Sequence, residues 1–283
     1  MIRLKKIALC LSFLLLFSLT GCQSDESVSL KREKPKPKAV SIGFSSVTEE
    51  TPQGVNVVYL GIGLDKDEKI TYLSINRNEF NENTNILSVK EQGDSYGLSF
   101  ESHKGDWKTQ MEAFENYAVG KAMTIDELRQ TELDENGIPA EESDLFAACE
   151  IDLRLPMAAL AQVEDNMYDV NAYYPAITQD VVRTNTGFDF SIMLNVKNEY
   201  DKVIYVEIDQ YSIEGNRAEQ KNEEMLNALE TKLQGLTCYE IARIETYDTG
   251  DGIHNSLPLK NSFLSDISMN LNFLKQMYKK IGG

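Results

Sequence analysis

Two glutamates of this chain each follow a threonine by three residues, and a carboxylate beside a hydroxyl could move a proton. The pairs are Thr124 with Glu127 in MTIDEL and Thr237 with Glu240 in LTCYEI. The same Thr-x-x-Glu spacing is the capping box of a helix N-terminus, in which both side chains accept backbone N–H groups. Each pair also closely follows a glycine, as a helix after a turn would. We therefore predict two capped helices and no catalytic role for these glutamates.

Aromatic side chains collect in the long polar stretch 76–107, which contains Tyr96, Phe100 and the single tryptophan, Trp107. Aromatic residues in a long loop can line a ligand cleft. They can equally fill the end of an apolar core, and the sequence leaves both readings open. Tyr96 and Trp107 are therefore candidate binding residues.

Motifs that identify enzymes are absent from the sequence. It contains no Gly-x-Ser-x-Gly, no His-Glu-x-x-His, no phosphate-binding Gly-x-x-x-x-Gly-Lys-Ser/Thr and no Gly-x-Gly-x-x-Gly. The two histidines, His103 and His254, lie in polar surroundings typical of surface loops. The acidic turns at 64–69 and 248–252 lack the ligand spacing of an EF-hand calcium loop. We predict a protein that is not an enzyme and that holds no metal.

The formal net charge is −17. A body this acidic is repelled by the phosphate backbone, which argues against nucleic acid as a partner. The same charge explains solubility, so the abundance of Asp and Glu is no sign of a hydrolase.

The first residues have the order of a secretory signal peptide. Three basic residues precede an apolar run at 7–17, which is too short to cross a bilayer comfortably. We predict a signal peptide at 1–21. The stretch 23–40 is polar and rich in lysine and proline, and such a segment cannot bury enough apolar surface to fold. It is predicted to be a flexible tether.

The motif LTGC at 19–22 resembles the lipobox of bacterial lipoproteins. The resemblance implies that Cys22 becomes the first mature residue and carries acyl chains, palmitate among them. Two chains give stable anchoring where one gives marginal binding. The expected location is the cell membrane, with the protein facing outside the cytoplasm; the alternative is an ordinary signal peptide with a coincidental cysteine.

Two further cysteines, Cys149 and Cys238, remain in the predicted mature chain. They do not occupy equivalent places in the pattern described next, and the sequence has no Cys-x-x-Cys. Two buried free thiols are the favoured prediction, and a disulfide is the alternative.

The rest of the chain reads as two similar halves. Segments 55–75 and 188–208 each alternate apolar and polar residues around a polar turn, as β-hairpins do. Each is followed by an amphipathic helical pattern, at 107–120 and 222–235, and then by a Thr-x-x-Glu box. The offset between the copies falls from 133 at the hairpins to 115 at the helices, because the first copy carries 18 extra residues between them.

We predict an α+β fold of two tandem repeats, each a β-hairpin-containing sheet packed with helices. The expected domains are 41–166 and 172–283, after the lipidated cysteine and tether at 22–40, with a junction around 166–175. Domains of about 110–125 residues are large enough to fold alone.

The pattern also makes two local predictions. Gly120 and Gly235 are expected to end their helices in the left-handed conformation. Ile70 is expected on the strand face opposite Leu73 and Ile75, because side chains alternate along a strand.

Four segments, at 41–48, 90–98, 107–121 and 134–151, resemble a family of secreted lipoproteins and repeat proteins from Gram-positive anaerobes. More remotely, the order of hairpin, helix, Gly-Lys, loop, Asp-containing turn and terminal helix is similar to the FMN-binding domain that carries flavin on a threonine.

The similarity to the FMN-binding domain implies candidate cofactor-binding residues at Asp144, Phe146 and Cys149, beside Tyr96 and Trp107. The family's Ser-Gly-Ala-Thr attachment motif is not preserved in the turn that contains the first three, so covalent attachment is disfavoured. The leading expectation is a non-catalytic, lipid-anchored binding or interaction module without a cofactor, which binds an unknown protein or small molecule. The alternative is a flavin-associated component of extracytoplasmic electron transfer, with noncovalent FMN.

Overall fold

A computed structural model describes residues 38–81, 87–98, 102–184, 187–212, 216–217, 220–244, 246–248 and 253–255. The fold is α+β with antiparallel sheets, as the sequence predicts. The strands are β1 (Ala39–Thr51), β2 (Gly54–Leu64), β3 (Ile70–Asn81), β4 (Met167–Ala172), β5 (Tyr174–Thr184), β6 (Gly187–Lys197), β7 (Val203–Ser212), β8 (Thr246–Asp248) and β9 (Ile253–Asn255). The α-helices are α1 (Val89–Gln92), α2 (Trp107–Gly120), α3 (Ile125–Arg129), α4 (Arg154–Val163), α5 (Gln220–Leu233) and α6 (Cys238–Ala242).

The first sheet has the strand order β3-β2-β1-β4, and all neighbours are antiparallel. In β2, Val58 and Leu60 pack towards helices while Val57 and Tyr59 pack on the opposite face, and all four are buried. Burial on both faces explains why β2 is an almost continuous apolar run instead of a polar-apolar alternation.

The second sheet has the order β5-β6-β7, also antiparallel, and β8 pairs with β9 in a small separate ribbon. In β6, Ile192 and Leu194 share one buried face, and Met193 lies on the other. The second sheet is therefore also covered on both faces at this strand.

Three apolar clusters arrange these elements in layers. Phe114 of α2 belongs to the cluster between the helices α2 and α4 and the first sheet. Tyr59 and Leu194 belong to a middle cluster between the two sheets. Leu229 of α5 and Ile208 of β7 belong to the cluster on the far side of the second sheet. The order is thus helices, sheet, sheet and helix, and the middle layer takes side chains from both halves of the chain.

The stretch predicted as a junction, 166–175, is part of this folded body. Residues 167–172 form β4, which pairs with β1 in the first sheet, and β5 begins at Tyr174. Neither β1 nor β5 was among the predicted hairpin strands, although each pairs with the strand that follows it in sequence. The middle layer therefore crosses the predicted boundary between the domains.

The predicted face of Ile70 was wrong. Ile70 packs in the same cluster as Leu73 and Ile75, towards the helices. The reason is a register shift between Gly63 and Leu64 in the pairing of β2 with β3, which interrupts the alternation at the start of β3.

The left-handed conformation predicted for Gly120 was also wrong, whereas that of Gly235 is present, with φ of 84°. After α2, Lys121 is still right-handed, and Ala122 takes the positive φ, 48°. The left-handed residue after α2 is therefore Ala122, two residues after the glycine at which it was predicted.

Both predicted capping boxes are formed. The Thr124 and Thr237 hydroxyls accept the backbone N–H of Glu127 at 3.1 Å and of Glu240 at 3.2 Å. In return, the two carboxylates accept the threonine N–H groups at 2.8 and 2.7 Å. These glutamates are therefore occupied in capping α3 and α6.

The two central hairpins change register at corresponding places. The shift lies between Gly63 and Leu64 in β2, and between Val196 and Lys197 in β6, which are 133 residues further on. This agrees with the offset of the sequence alignment. The internal duplication itself stays a prediction.

Candidate functional site

Tyr96 and Trp107, two of the predicted site residues, lie around one guanidinium group. The Arg77 Cζ lies 5.7 Å from the Tyr96 ring centroid and 5.4 Å from that of Trp107. The Tyr96 hydroxyl accepts from Arg77 Nη2 at 2.5 Å and donates to Glu79 at 2.8 Å. Trp107 is buried in the cluster under α2. This arrangement holds the segment before α2 onto the end of β3.

The other three candidates belong to one turn but point in different directions. Asp144 is exposed and forms an ion pair with Lys121 at the end of α2. The Phe146 ring lies 4.0 Å from Lys104 Nζ, which also donates to the Phe146 carbonyl. Cys149 is a free, buried thiol, and burial raises its pKa. None of the five candidates lines either of the clefts described below.

Cys22, the predicted lipidation site, lies outside the described residues, and so does the side chain of Cys238. Among the residues that the structure describes, no helix has the length and apolar character needed to cross a bilayer. Over the same residues, no group of three or more His, Cys, Asp or Glu side chains is arranged to hold a metal ion.

A cleft of about 440 Å³ lies between the start of β1, the β2–β3 turn and α3. Two of its acidic side chains have local partners: Asp65 Oδ1 accepts two backbone N–H groups of its own turn, both at 2.9 Å, and Glu164 pairs with Arg129 at 2.8 Å. These two carboxylates therefore stabilise the local structure of the cleft walls.

A second cleft, of about 350 Å³, lies between the edge strand β7, helix α5 and β4. We call it the β7–α5 cleft. Its titratable lining residues are Tyr168, Tyr205, Glu207, Asp209, Arg217, Glu223 and Glu230. Four carboxyl groups therefore face one guanidinium group in this space.

Most of these groups have partners within the cleft. Asp209 accepts from Arg217 Nε at 3.0 Å and from the hydroxyls of Tyr211, at 3.2 Å, and Ser46. Since Ser46 lies on β1, this contact joins the cleft wall to the first sheet. Glu207 accepts the Tyr205 hydroxyl.

Glu230 differs from the other acids of the cleft. Its Oε1 accepts the backbone N–H of Ile208 at 2.6 Å. Because β7 is an edge strand of its sheet, the carboxylate satisfies an N–H that no neighbouring strand takes. Among the side chains that the structure describes, no lysine or arginine nitrogen lies within 4 Å of its carboxylate. Glu230 thus has acceptor capacity to spare.

The pKa of Glu230 is raised to about 7, and burial is the largest cause. The hydrogen bond from the Ile208 N–H opposes the rise, and the negative charges of Glu207 and Asp209 add to it. Burial likewise raises the pKa of Glu207. The cleft therefore contains a carboxyl group that a positive charge would stabilise in its ionised form.

We expect Glu230→Gln to stabilise the protein at about pH 8 and to change it little at about pH 4. An unfolded glutamate ionises near pH 4.3, whereas the folded pKa is about 7, so ionisation disfavours the folded state as pH rises between these values. Glutamine keeps an oxygen for the Ile208 N–H without the charge. The expected gain at high pH is about 3 kcal/mol, measured by urea unfolding.

The matched control is Glu135→Gln, which removes the same charge from an exposed turn; it should change stability by less than about 0.5 kcal/mol at either pH. An equal gain at both pH values, or a loss at high pH, would contradict the assignment. The titratable groups that face Glu230 are Tyr168 from β4, Tyr205, Glu207 and Asp209 from β7, Arg217 before α5, and Glu223 on α5.

Sequence reasoning did not single out Glu207, Asp209 or Glu230. A signal for Glu230 was present in the two helical segments, which align Glu115 with Glu230 at the offset of 115. An acidic residue at the same place in both amphipathic patterns, next to an apolar position, is a candidate for a buried carboxylate.

Models of known protein families, curated proteins and solved structures were all compared with this chain, and none of them matches it.

Proposed function

We propose that the protein is a lipid-anchored, extracytoplasmic and non-catalytic binding module whose ligand enters the β7–α5 cleft. The observation that carries the binding role is Glu230, a partly buried carboxylate in a cleft, which forms no ion pair with the described lysine and arginine side chains. Retaining such a group lowers stability, and proteins accept this cost at sites that bind. Location rests on the signal-peptide pattern and the LTGC motif at 19–22.

Cys22→Ala is expected to move the protein from the membrane fraction to the soluble fraction. Without the thiol no diacylglycerol can be attached, and each lost acyl methylene removes about 0.8 kcal/mol of membrane affinity. The measurement is detergent phase partitioning of cells that express the full chain. Cys10→Ala, which alters the cysteine within the predicted signal peptide, should leave the distribution unchanged. Full membrane retention of the Cys22 variant would refute the anchor.

A further inference from the structure

A glutamate occupies the same place in both halves of the molecule. Glu115 on α2 accepts the backbone N–H of Ile75 at 2.6 Å, as Glu230 on α5 accepts that of Ile208 at 2.6 Å. Both isoleucines lie on edge strands, β3 and β7, of their sheets. Because the two glutamates make the same contact, the surroundings of Glu115 in the first half can be compared directly with those of Glu230 in the second half.

In the first half, an ammonium group rests on this glutamate. Lys90 Nζ lies 2.5 Å from Glu115 Oε1, and the two side chains are only 15% and 11% exposed. The backbone N–H of Lys90 is 3.3 Å from Asn76 Oδ1. Lys90 belongs to α1, whose Val89 is buried against the cluster under α2. The groove between β3 and α2 is thus filled by a lysine-bearing segment of the same chain.

In the second half, the connection between the edge strand β7 and helix α5 is too short to contain a segment like α1. Seven residues, 213–219, join β7 to α5, whereas 25 residues, 82–106, join β3 to α2. The corresponding groove is the β7–α5 cleft, in which Asp209 takes the place of Asn76: each accepts the N–H of the following residue, at 3.0 and 2.9 Å. The carboxylate and its neighbour are therefore present in both halves, whereas a lysine paired with the carboxylate is found only in the first half among the side chains that the structure describes.

We propose that the β7–α5 cleft binds an alkylammonium group, which pairs with Glu230 as Lys90 pairs with Glu115. This inference rests on the proposed binding function and names its ligand class. The ammonium group comes from a free amine or from a lysine side chain of a peptide.

The rest of the cleft suits a cation on an alkyl stem. Glu207 and Glu223 add negative charge near Glu230. Tyr168 and Tyr205 form an aromatic pair on one wall, with ring centroids 4.9 Å apart, and Tyr168 is 45% exposed. Aromatic faces attract alkylammonium ions, so the wall and the carboxylates favour the same ligand.

The test is a ligand-observed NMR titration of the purified full chain in detergent at about pH 8. Nα-Acetyl-lysine N-methylamide is expected to bind saturably. Nα,Nε-Diacetyl-lysine N-methylamide, which lacks the ammonium group, should bind at least about tenfold more weakly. Glu230→Gln should weaken the first probe by at least about tenfold, and the charge-matched Glu135→Gln should leave its affinity unchanged.

n-Butylamine distinguishes the two sources. Affinity close to that of the lysine probe indicates a free amine, and much weaker affinity indicates a lysine within a peptide. The proposal is overturned if neither ammonium probe binds the native protein, or if Glu230→Gln binds them equally well.

A variant with an obstructed cleft distinguishes failure of this inference from failure of the proposed binding function. Asn227 lies at the cleft on the exposed side of α5, and Asn227→Trp should obstruct it. If the ammonium probes fail while another probe, such as FMN, binds the native protein and not Asn227→Trp, the ligand class is wrong and the binding function stands.

Discussion

Lys90→Met is expected to destabilise the protein by about 3–5 kcal/mol. The substitution keeps an unbranched four-atom stem but removes the ammonium group that lies 2.5 Å from Glu115. A carboxylate that is only 11% exposed then keeps one charged partner fewer, and removal of one partner from a buried pair costs more than the pair itself contributes. Burial already raises the pKa of Glu115, and Lys90 opposes that rise.

The measurement is urea unfolding at neutral pH, followed by circular dichroism. A second substitution, Lys90→Met with Glu115→Gln, should recover most of the loss, because the unpaired charge is then absent. The matched control is Lys108→Met, which breaks an exposed pair with Glu112 at 4.0 Å and should cost less than about 1 kcal/mol. A loss for Lys90→Met as small as that of the control would show that Glu115 is not held by this pair.

Leu194→Ala is expected to cost about 2–5 kcal/mol and to destabilise both halves together. Leu194 lies on β6 and is fully buried in the middle layer between the sheets. Its Cδ1 would lie 3.1 Å from a Cβ at Gly61 of β2, which shows how closely the two sheets approach there. Truncation leaves a cavity against the first sheet, so its effect should not stay in the second half.

Trp107 reports on the first half, because it is the only tryptophan and is buried at the first position of α2. In urea, the Trp107 fluorescence transition of Leu194→Ala should shift with the overall circular dichroism transition. Tyr200→Ala, at a side chain that is 65% exposed, should leave both transitions within about 0.5 kcal/mol of the native protein. A Trp107 transition that stays in place would mean that the halves fold independently, as two separate domains.

The two halves suggest a physical relation between stability and binding. In the first half, α1 supplies a cation to Glu115 from within the chain. In the second half, the carboxylate of Glu230 has a raised pKa of about 7. Under our proposal, its cation is supplied by a ligand from outside the chain. Ionisation of Glu230 places a negative charge in a partly buried position. This charge lowers the stability of the folded protein, and it also provides the affinity for an ammonium ion.

The sequence predicted the features whose hydrogen bonds span few residues. The capping boxes at Thr124 and Thr237 follow from a spacing of three residues, and the hairpins follow from alternation around short turns. The alternation of side chains along a strand gave the wrong face for Ile70, because a register shift displaces one residue and inverts the alternation. The α+β class was predicted correctly, since it depends on the local periodicity of apolar residues.

Tertiary structure alone decided how the sheets meet and which acids are buried. β1 pairs with the distant strand β4 as well as with its neighbour β2, and the middle layer joins Tyr59 to Leu194 across the chain. Glu230 looks like any surface glutamate of a strongly acidic sequence until α5 places it against the edge of β7. Local patterns set the elements, whereas burial and charge pairing depend on residues that only folding brings together.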